Sequence, residues 1–292
     1  MTEIRTASDV DLDLVVRLRE ATDSLTATTA EDLRVFLRQA EAPLLLHADD
    51  VGFGLSCRYP PERDAELDVR VLPAHRRRGT GTALYERLLE HAVAQGWPSV
   101  ITSAAERDAL KWLERRGWRR IDRQERVVLE LADVPRDRVS QAPAGIELTD
   151  YASRPDLAPK LVELTAEGVQ DVPGELAREE PPSLETWLRW QDAPSRRPEF
   201  IVIALDGDDV AGFAQLNVYP RVGYHAVTIV ARSHRRRGIA RALKAELIQR
   251  ARARGLERLI TNSNVDNAPM RTLNAELGYR PATARIYLRK TL

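Results

Sequence analysis

Cysteine is nearly missing from this chain of 292 residues. Cys57 stands alone, so no intramolecular disulfide and no thiolate metal cluster can form, and a lone thiol usually serves as a small apolar side chain. Lysine is almost as scarce, with four residues against forty arginines, and aromatic residues make up 5% of the chain. Net charge is absent too: 44 basic side chains balance 44 acidic ones. That balance argues against a general nucleic-acid or membrane-surface binder, which carries excess positive charge. No run approaches the ~20 apolar residues of a membrane span. The opening stretch "MTEIRTASDVDLDLV" lacks an apolar signal segment, so a cytoplasmic location is expected. Also lacking are the phosphate-binding pattern GxxxxGK[ST] and a GxGxxG turn with a downstream acidic ribose partner.

What is present is one pattern written twice. Residues 74–89 read "AHRRRGTGTALYERLL" and residues 232–247 read "RSHRRRGIARALKAEL". Arg76-x-x-Gly79-x-Gly81 thus matches Arg235-x-x-Gly238-x-Ala240. Leu84, Leu88 and Ala92 follow the first at helical spacing with Gly96 as the stop; Leu243, Leu247, Ala251 and Gly255 repeat this after the second. Each helix leads to a short β-like run (98–103 and 257–262), then to a second helical stretch closed by Gly-aromatic (108–118 and 268–279). Upstream, 43–59 and 200–219 read as hairpins with Asp/Gly turns, and 65–72 and 223–230 as the strands entering the arginine loops. A Pro-rich stretch without periodicity lies between the copies. The expected organisation is a first domain over 1–134, a linker over 135–144 and a second domain over 145–292.

A strand feeding a tight glycine loop into a helix makes an anion site. The first turn of a helix has unpaired N–H groups, and its dipole adds about half a positive charge there. Gly79 and Gly238 let the backbone turn sharply, the small residues Gly81 and Ala240 keep the packing behind it tight, and the flanking arginines add forked donors. The pattern suits a pyrophosphate.

Each half resembles the GNAT superfamily of N-acetyltransferases, whose [RQ]xxGx[GA] signature binds the pyrophosphate of acetyl-CoA. The resemblance covers nearly the whole chain and implies an α/β (α+β) fold: two tandem domains, each a mixed, mostly antiparallel twisted sheet flanked by helices. By that resemblance the cofactor-binding residues are Arg76, Arg77, Arg78, Gly79, Thr80 and Gly81 in the first copy and Arg235, Arg236, Arg237, Gly238, Ile239 and Ala240 in the second. Val71 and Val230 are expected along the pantetheine arm, between strands that splay apart. Asn267, with Asn264 nearby, matches a cofactor-contacting asparagine of the family; Glu106 stands at that place in the first copy, where an acid is a poor partner for a polyanion.

Acetyl transfer needs a neutral amine, a donor for the developing oxyanion and a proton or tolerance for the departing thiolate. The resemblance implies a backbone N–H beside Val230 as the oxyanion donor. Tyr224 and His225 are candidates for the base, with Glu66 and Asp68 as their first-copy analogues; an exposed strand histidine is the competing reading of His225. Many relatives carry a tyrosine acid where this chain has Leu113 and Asn274. Asn274 is expected to orient the cofactor sulfur instead. By the same resemblance the acceptor pocket is expected over 166–190, with Asp171 as an ammonium partner and Trp187 or Trp190 as walls or core anchors. These expectations describe an acetyl-CoA-dependent N-acetyltransferase for a small-molecule primary amine, with the second copy catalytic and the first degenerate or cofactor-binding. An acetyl-CoA sensor and a protein acetyltransferase are the alternatives; neither nucleic acid nor membrane is an expected partner, and monomer and homodimer are both compatible.

Overall fold

A computed structural model describes residues 3–60, 62–135, 141–176 and 181–292. Five of the ten residues read as a linker, 136–140, lie outside this set, as do 177–180 in the expected acceptor region. No helix among the described residues is long and apolar enough to cross a membrane.

The chain forms two compact units: Met1–Asp122 with Arg285–Leu292, and Arg123–Ala284. In the first, β1 (Ile4–Thr6), α1 (Leu12–Thr22), α2 (Ala30–Gln39), β2 (Glu41–Ala48), β3 (Gly52–Arg58) and β4 (Ala65–Val71) precede the arginine loop. Then come α3 (Thr80–Ala94), β5 (Ser99–Ala104), α4 (Arg107–Glu114) and the start of β6 (Arg119–Glu130). The second unit repeats this with β7 (Ile146–Asp150), α5 (Ala158–Val169), α6 (Leu184–Trp190), β8 (Ile201–Asp206), β9 (Asp209–Val218) and β10 (Val222–Val230). It continues through α7 (Ile239–Ala253), β11 (Arg258–Asn264), α8 (Ala268–Glu276) and the start of β12 (Arg280–Thr291).

The periodicities act as the sequence implies. Leu84, Leu88 and Ala92 bury one face of α3; Leu243, Leu247 and Ala251 bury the same face of α7. Gly96 and Gly255, with φ of 69° and 81°, end them in the left-handed conformation that lacks a Cβ penalty. Each sheet therefore has two apolar layers. In the first unit Leu67 and Val71 pack with α3, while Phe53 and Leu55 pack with α1 and α2. In the second Leu216 and Leu259 pack with α7, while Phe213 and Ile229 pack with α5 and α6. Cys57 is fully buried in the first unit, and burial pushes its thiol up, consistent with an inert apolar role.

Each sheet is mixed and mostly antiparallel. The exception in each is a short parallel contact, Ala65↔Val100 and Glu66↔Ile101 for β4 with β5, and Val222↔Arg258 through Tyr224↔Ile260 for β10 with β11.

Packing and sequence copies part company at the ends. Residues Gln124–Glu130 of β6, which follow the first Gly-aromatic pair, run antiparallel to β11 of the second unit. Residues Ile286–Thr291 of β12, which follow the second pair, run antiparallel to β5 of the first. Each copy's last strand completes the other unit's sheet, so the units do not follow a cut at 135–144. Sequence matching shows which strand recurs; it does not say which of two equivalent sheet edges that strand joins.

Candidate active site in the second unit

The two arginine loops have the same backbone. Arg77 and Arg236 have φ of 62° and 63°, Gly79 and Gly238 have φ of 88° and 84°. Two left-handed residues, each flanked by others, turn successive N–H groups inward in an anion-binding concavity. Gly79 and Gly238 are the N-caps of α3 and α7, and neither helix has a side chain capping its first turn. The donors at both helix starts thus remain available.

The first arginine of each loop has another task. Arg76 Nε donates to the Val71 carbonyl at 3.0 Å, and Arg235 Nε to the Val230 carbonyl at 3.1 Å. Each guanidinium then meets an acid, Glu106 for Arg76 and Asp171 for Arg235. These side chains staple the loop to its strand. Arg237 pairs with Asp206 at 2.7 Å.

Asp171 thus has partners that its sequence position did not announce. Its carboxylate accepts from Arg232 at 2.8 and 3.0 Å and from Arg235 at 2.6 Å. The hydrogen bonds from Arg232 and Arg235 hold it far below the usual carboxylate range. It braces the loop, and it also lines the cleft of the second unit. Asp171→Ala is expected to raise KM for the coenzyme roughly tenfold while KM for the acceptor stays put; steady-state kinetics with each substrate varied in turn reads the difference. The opposite split would return Asp171 to the acceptor.

A cleft of about 920 Å³ opens in the second unit. Beyond Tyr224 the strands β10 and β11 part, and Ala226–Val230 with Asn262–Asn264 form its walls. Gly238, Ile239 and Ala240 line it, as do Trp187, Trp190, Phe213 and Gln215. Trp187 is also a core anchor, 3% exposed and edge-on to Tyr151 at 5.3 Å. Asn267 lines the cleft and caps α8, its Oδ1 accepting from Met270 N, so its NH2 is what it can offer. Asn264 lines it too, tied to Pro173 O and Asp266 N.

The β9–β10 register shifts between His225 and Val227, so Ala226 is an extra residue with no partner on β9. The β3–β4 register runs unbroken from Gly52↔Val71 to Arg58↔Ala65. Aligned on these pairings, Tyr224 corresponds to Glu66, His225 to Leu67 and Val227 to Asp68, and the first unit has no counterpart of Ala226. The bulge turns His225 onto the α7 face, just as Leu67 faces α3 in the first unit. His225 is 3% exposed, outside the cleft lining, with burial pushing its pKa well below the ordinary value. It is therefore not the exposed strand histidine of the competing reading. Tyr224 is half-buried and also off the lining; Asn274 is 2% exposed and donates to Ser263 Oγ at 3.1 Å, behind the cleft wall.

In the first unit charges fill the corresponding place. Asp68 and Arg70 correspond to Val227 and Ile229. Arg70 Nε bonds both Asp68 oxygens at 3.1 Å, Arg19 approaches Asp68 at 3.5 Å, and Arg285 bridges Asp23 and Ser103. Burial works to raise the Asp68 carboxyl, but Arg70 and Arg19 outweigh it and hold it low; burial raises Glu66.

Sequence reasoning missed Gln124, Phe213, Gln215, Asn262 and Ser263 as cleft residues. Gln124 comes from the exchanged β6 and carries no local signal. Gln215 was open to detection, as a polar residue on an inward strand position; it donates to Asn217 Oδ1 at 3.2 Å and Gln191 Oε1 at 3.3 Å.

The model of the acetyltransferase (GNAT) family matches the chain twice, over residues 14–118 and 166–279. A mycothiol acetyltransferase of Clavibacter sepedonicus is 27% identical over 285 residues, covering 93% of this chain and 89% of that one. Its counterpart from Clavibacter michiganensis subsp. michiganensis is also 27% identical, covering 93% and 88%. Among solved structures, a GCN5-related N-acetyltransferase from Sphaerobacter thermophilus superposes with a TM-score of 0.75 at 19% identity, over 99% of this chain and 95% of that one. A tandem GNAT protein from the clavulanic acid biosynthesis pathway gives 0.76 at 19%, over 99% and 98%. These two likenesses concern the fold.

Proposed function

The chain belongs to the GNAT acetyltransferase family and is an N-acetyltransferase, and from that premise we propose that its second unit binds acetyl-CoA and acetylates a primary amine of a small molecule. The observation that carries this reading is the pairing of an uncapped α7 start with an open, splayed cleft in the second unit, against charged side chains at the same register positions in the first. The first unit then carries no transfer of its own, and the stretch that follows the first sequence copy, Gln124–Glu130, supplies a strand of the catalytic sheet.

The residues fit the coenzyme. Backbone N–H groups from Arg236 to Ala240 would hold the diphosphate, braced by the Arg235–Asp171 staple. The edge of Ala226–Val230 left by β11 would pair with the amides of the pantetheine arm. Acetyl-CoA supplies an acetyl group activated as a thioester. The chain's own part is to present a backbone donor at the Ala226 bulge to the carbonyl oxygen as charge builds there, to orient the acceptor amine against Trp187, Trp190 and Gln215, and to exclude water from the narrow part of the splay. The relatives carry mycothiol, a small molecule, in their names, which supports a small-molecule acceptor here.

Release of coenzyme thiol in the presence of a panel of small amines tests the reading. Acceptor-dependent thiol release with acetylated amine as product is expected. Label passing into protein alone would move the proposal to a protein acceptor, and coenzyme binding with no transfer to any acceptor would defeat it.

A further inference from the structure

Behind the cleft the second unit replaces an apolar core with polar groups. On the α7 face, His225 takes the place of Leu67, Lys244 that of Tyr85, Asn274 that of Leu113 and Tyr279 that of Trp118. In the first unit the aromatic pair satisfies itself, Trp118 Nε1 donating to Tyr85 Oη at 3.1 Å. In the second no such closure exists. Both ring nitrogens of His225, the Oδ1 of Asn274 and the hydroxyl of Tyr279 are buried without a hydrogen-bond partner among the described residues. The four side chains lie together. Lys244 Nζ is 5.3 Å from the centre of the Tyr279 ring, the His225 ring is 6.0 Å from it, and Tyr279 N donates to Asn274 O at 3.0 Å.

Their position bears on the reaction. Ala240 lines the cleft, and Lys244 follows it by four residues on the same side of α7, one turn deeper. Leu273 lines the cleft next to Asn274, whose Nδ2 holds Ser263 Oγ in the wall. Buried polar atoms in native proteins have partners, and clustered orphans in a polar pocket indicate ordered water. We propose that His225, Lys244, Asn274 and Tyr279 bind internal water beneath the cleft floor, and that Lys244 takes up through this water the proton given up by the acceptor amine. The second half rests on the acetyl-transfer reading above.

The protons balance. The acceptor ammonium loses one N–H proton through bridging water to the Nζ lone pair of Lys244, which becomes an ammonium and returns the proton to solvent after product leaves. The second proton lost from the acceptor nitrogen leaves with the coenzyme thiol. Burial lowers the Lys244 pKa to about 7 from its ordinary 10.5, suiting a group that must both accept and release. Facing charges are few: β10 offers His225 and the segment after α8 offers Tyr279, while the side chains of β8 and β9 packed on α7 are apolar, among them Val202, Ala204, Ala214 and Leu216.

Stability gives a readout separate from activity. A lysine whose folded pKa is depressed binds fewer protons in the native state between about 7 and 10.5, so its penalty fades as pH rises through that window. His225 has finished titrating by then, and Tyr279 is pushed above its ordinary 10. Between pH 7 and 10 the melting temperature of the wild type is expected to rise more steeply than that of Lys244→Met, with the variant more stable at pH 7 by about 5 °C or more. Equal slopes would overturn the site. His225→Leu/Lys244→Met, which restores apolar character, guards against a merely local packing fault. Electron density should show solvent bridging His225, Asn274 and Tyr279; a dry void would also overturn it. In single turnover, the wild-type rate should climb through an ionisation near 7 that Lys244→Met lacks, with at least a tenfold loss above it. An unchanged pH profile would remove Lys244 from proton transfer while leaving the transferase reading intact.

Discussion

Gly238→Glu is expected to lower acetyl-CoA affinity by at least about 100-fold, a loss of roughly 3 kcal/mol or more. The carboxylate would enter the first turn of α7, where the diphosphate is proposed to sit, and replace an attraction to the helix dipole by like-charge repulsion. The fold should survive. The residue has φ of 84°, so a side chain there costs about 1–2 kcal/mol of backbone strain, but the first atom its Cβ meets is Pro143 Cγ at 3.7 Å. Gly79→Glu is the control, because Gly79 has the same backbone and nothing within 4 Å of its Cβ. With the charged network in the first unit, that variant should bind the coenzyme as the wild type does. Calorimetry on the two variants separates charge at the second loop from strain common to both.

Deleting Ala226 should be as damaging to turnover and far gentler on binding. Without it β10 would take the unbroken register that β4 already shows, keeping His225 on the α7 face and Val227 on the α5 face. The sheet would close over the place where the bulge is proposed to present a backbone donor. Loss of one such donor costs about 100- to 1000-fold in kcat. A fall of that size with coenzyme affinity within a few-fold of wild type is expected; near-normal kcat would show that the bulge has no part in the chemistry.

Much of the fold was legible because its signals are local. The two arginine loops, the helical spacing after each and the glycine stops all depend on neighbours within a few residues, and the structure reproduces them. Cys57 was legible for the same reason. The site was legible at its loops and less so elsewhere. Counting alternation straight back from Ile229 and Val227 places His225 on their face; the single extra residue Ala226 reverses that, and a one-residue bulge leaves no mark in composition. Asp171 was read as an ammonium partner because an acid in an acceptor region invites that role; its ion pairs with two guanidiniums from the arginine loop join positions about sixty residues apart and left no local signal. The exchange of β6 and β12 had no signal, since both strands fit both edges by pattern. Lys244 was hidden by its own helix: a lysine on α7 reads as solvated until packing buries it to 1% exposure.

The most direct measurement is a structure of the chain grown with acetyl-CoA. The account expects diphosphate density at the start of α7, within hydrogen-bond distance of the main-chain nitrogens of residues 236–240, and the thioester carbonyl beside the Ala226 bulge. Coenzyme found elsewhere, or both arginine loops holding only solvent at saturating coenzyme, would contradict it.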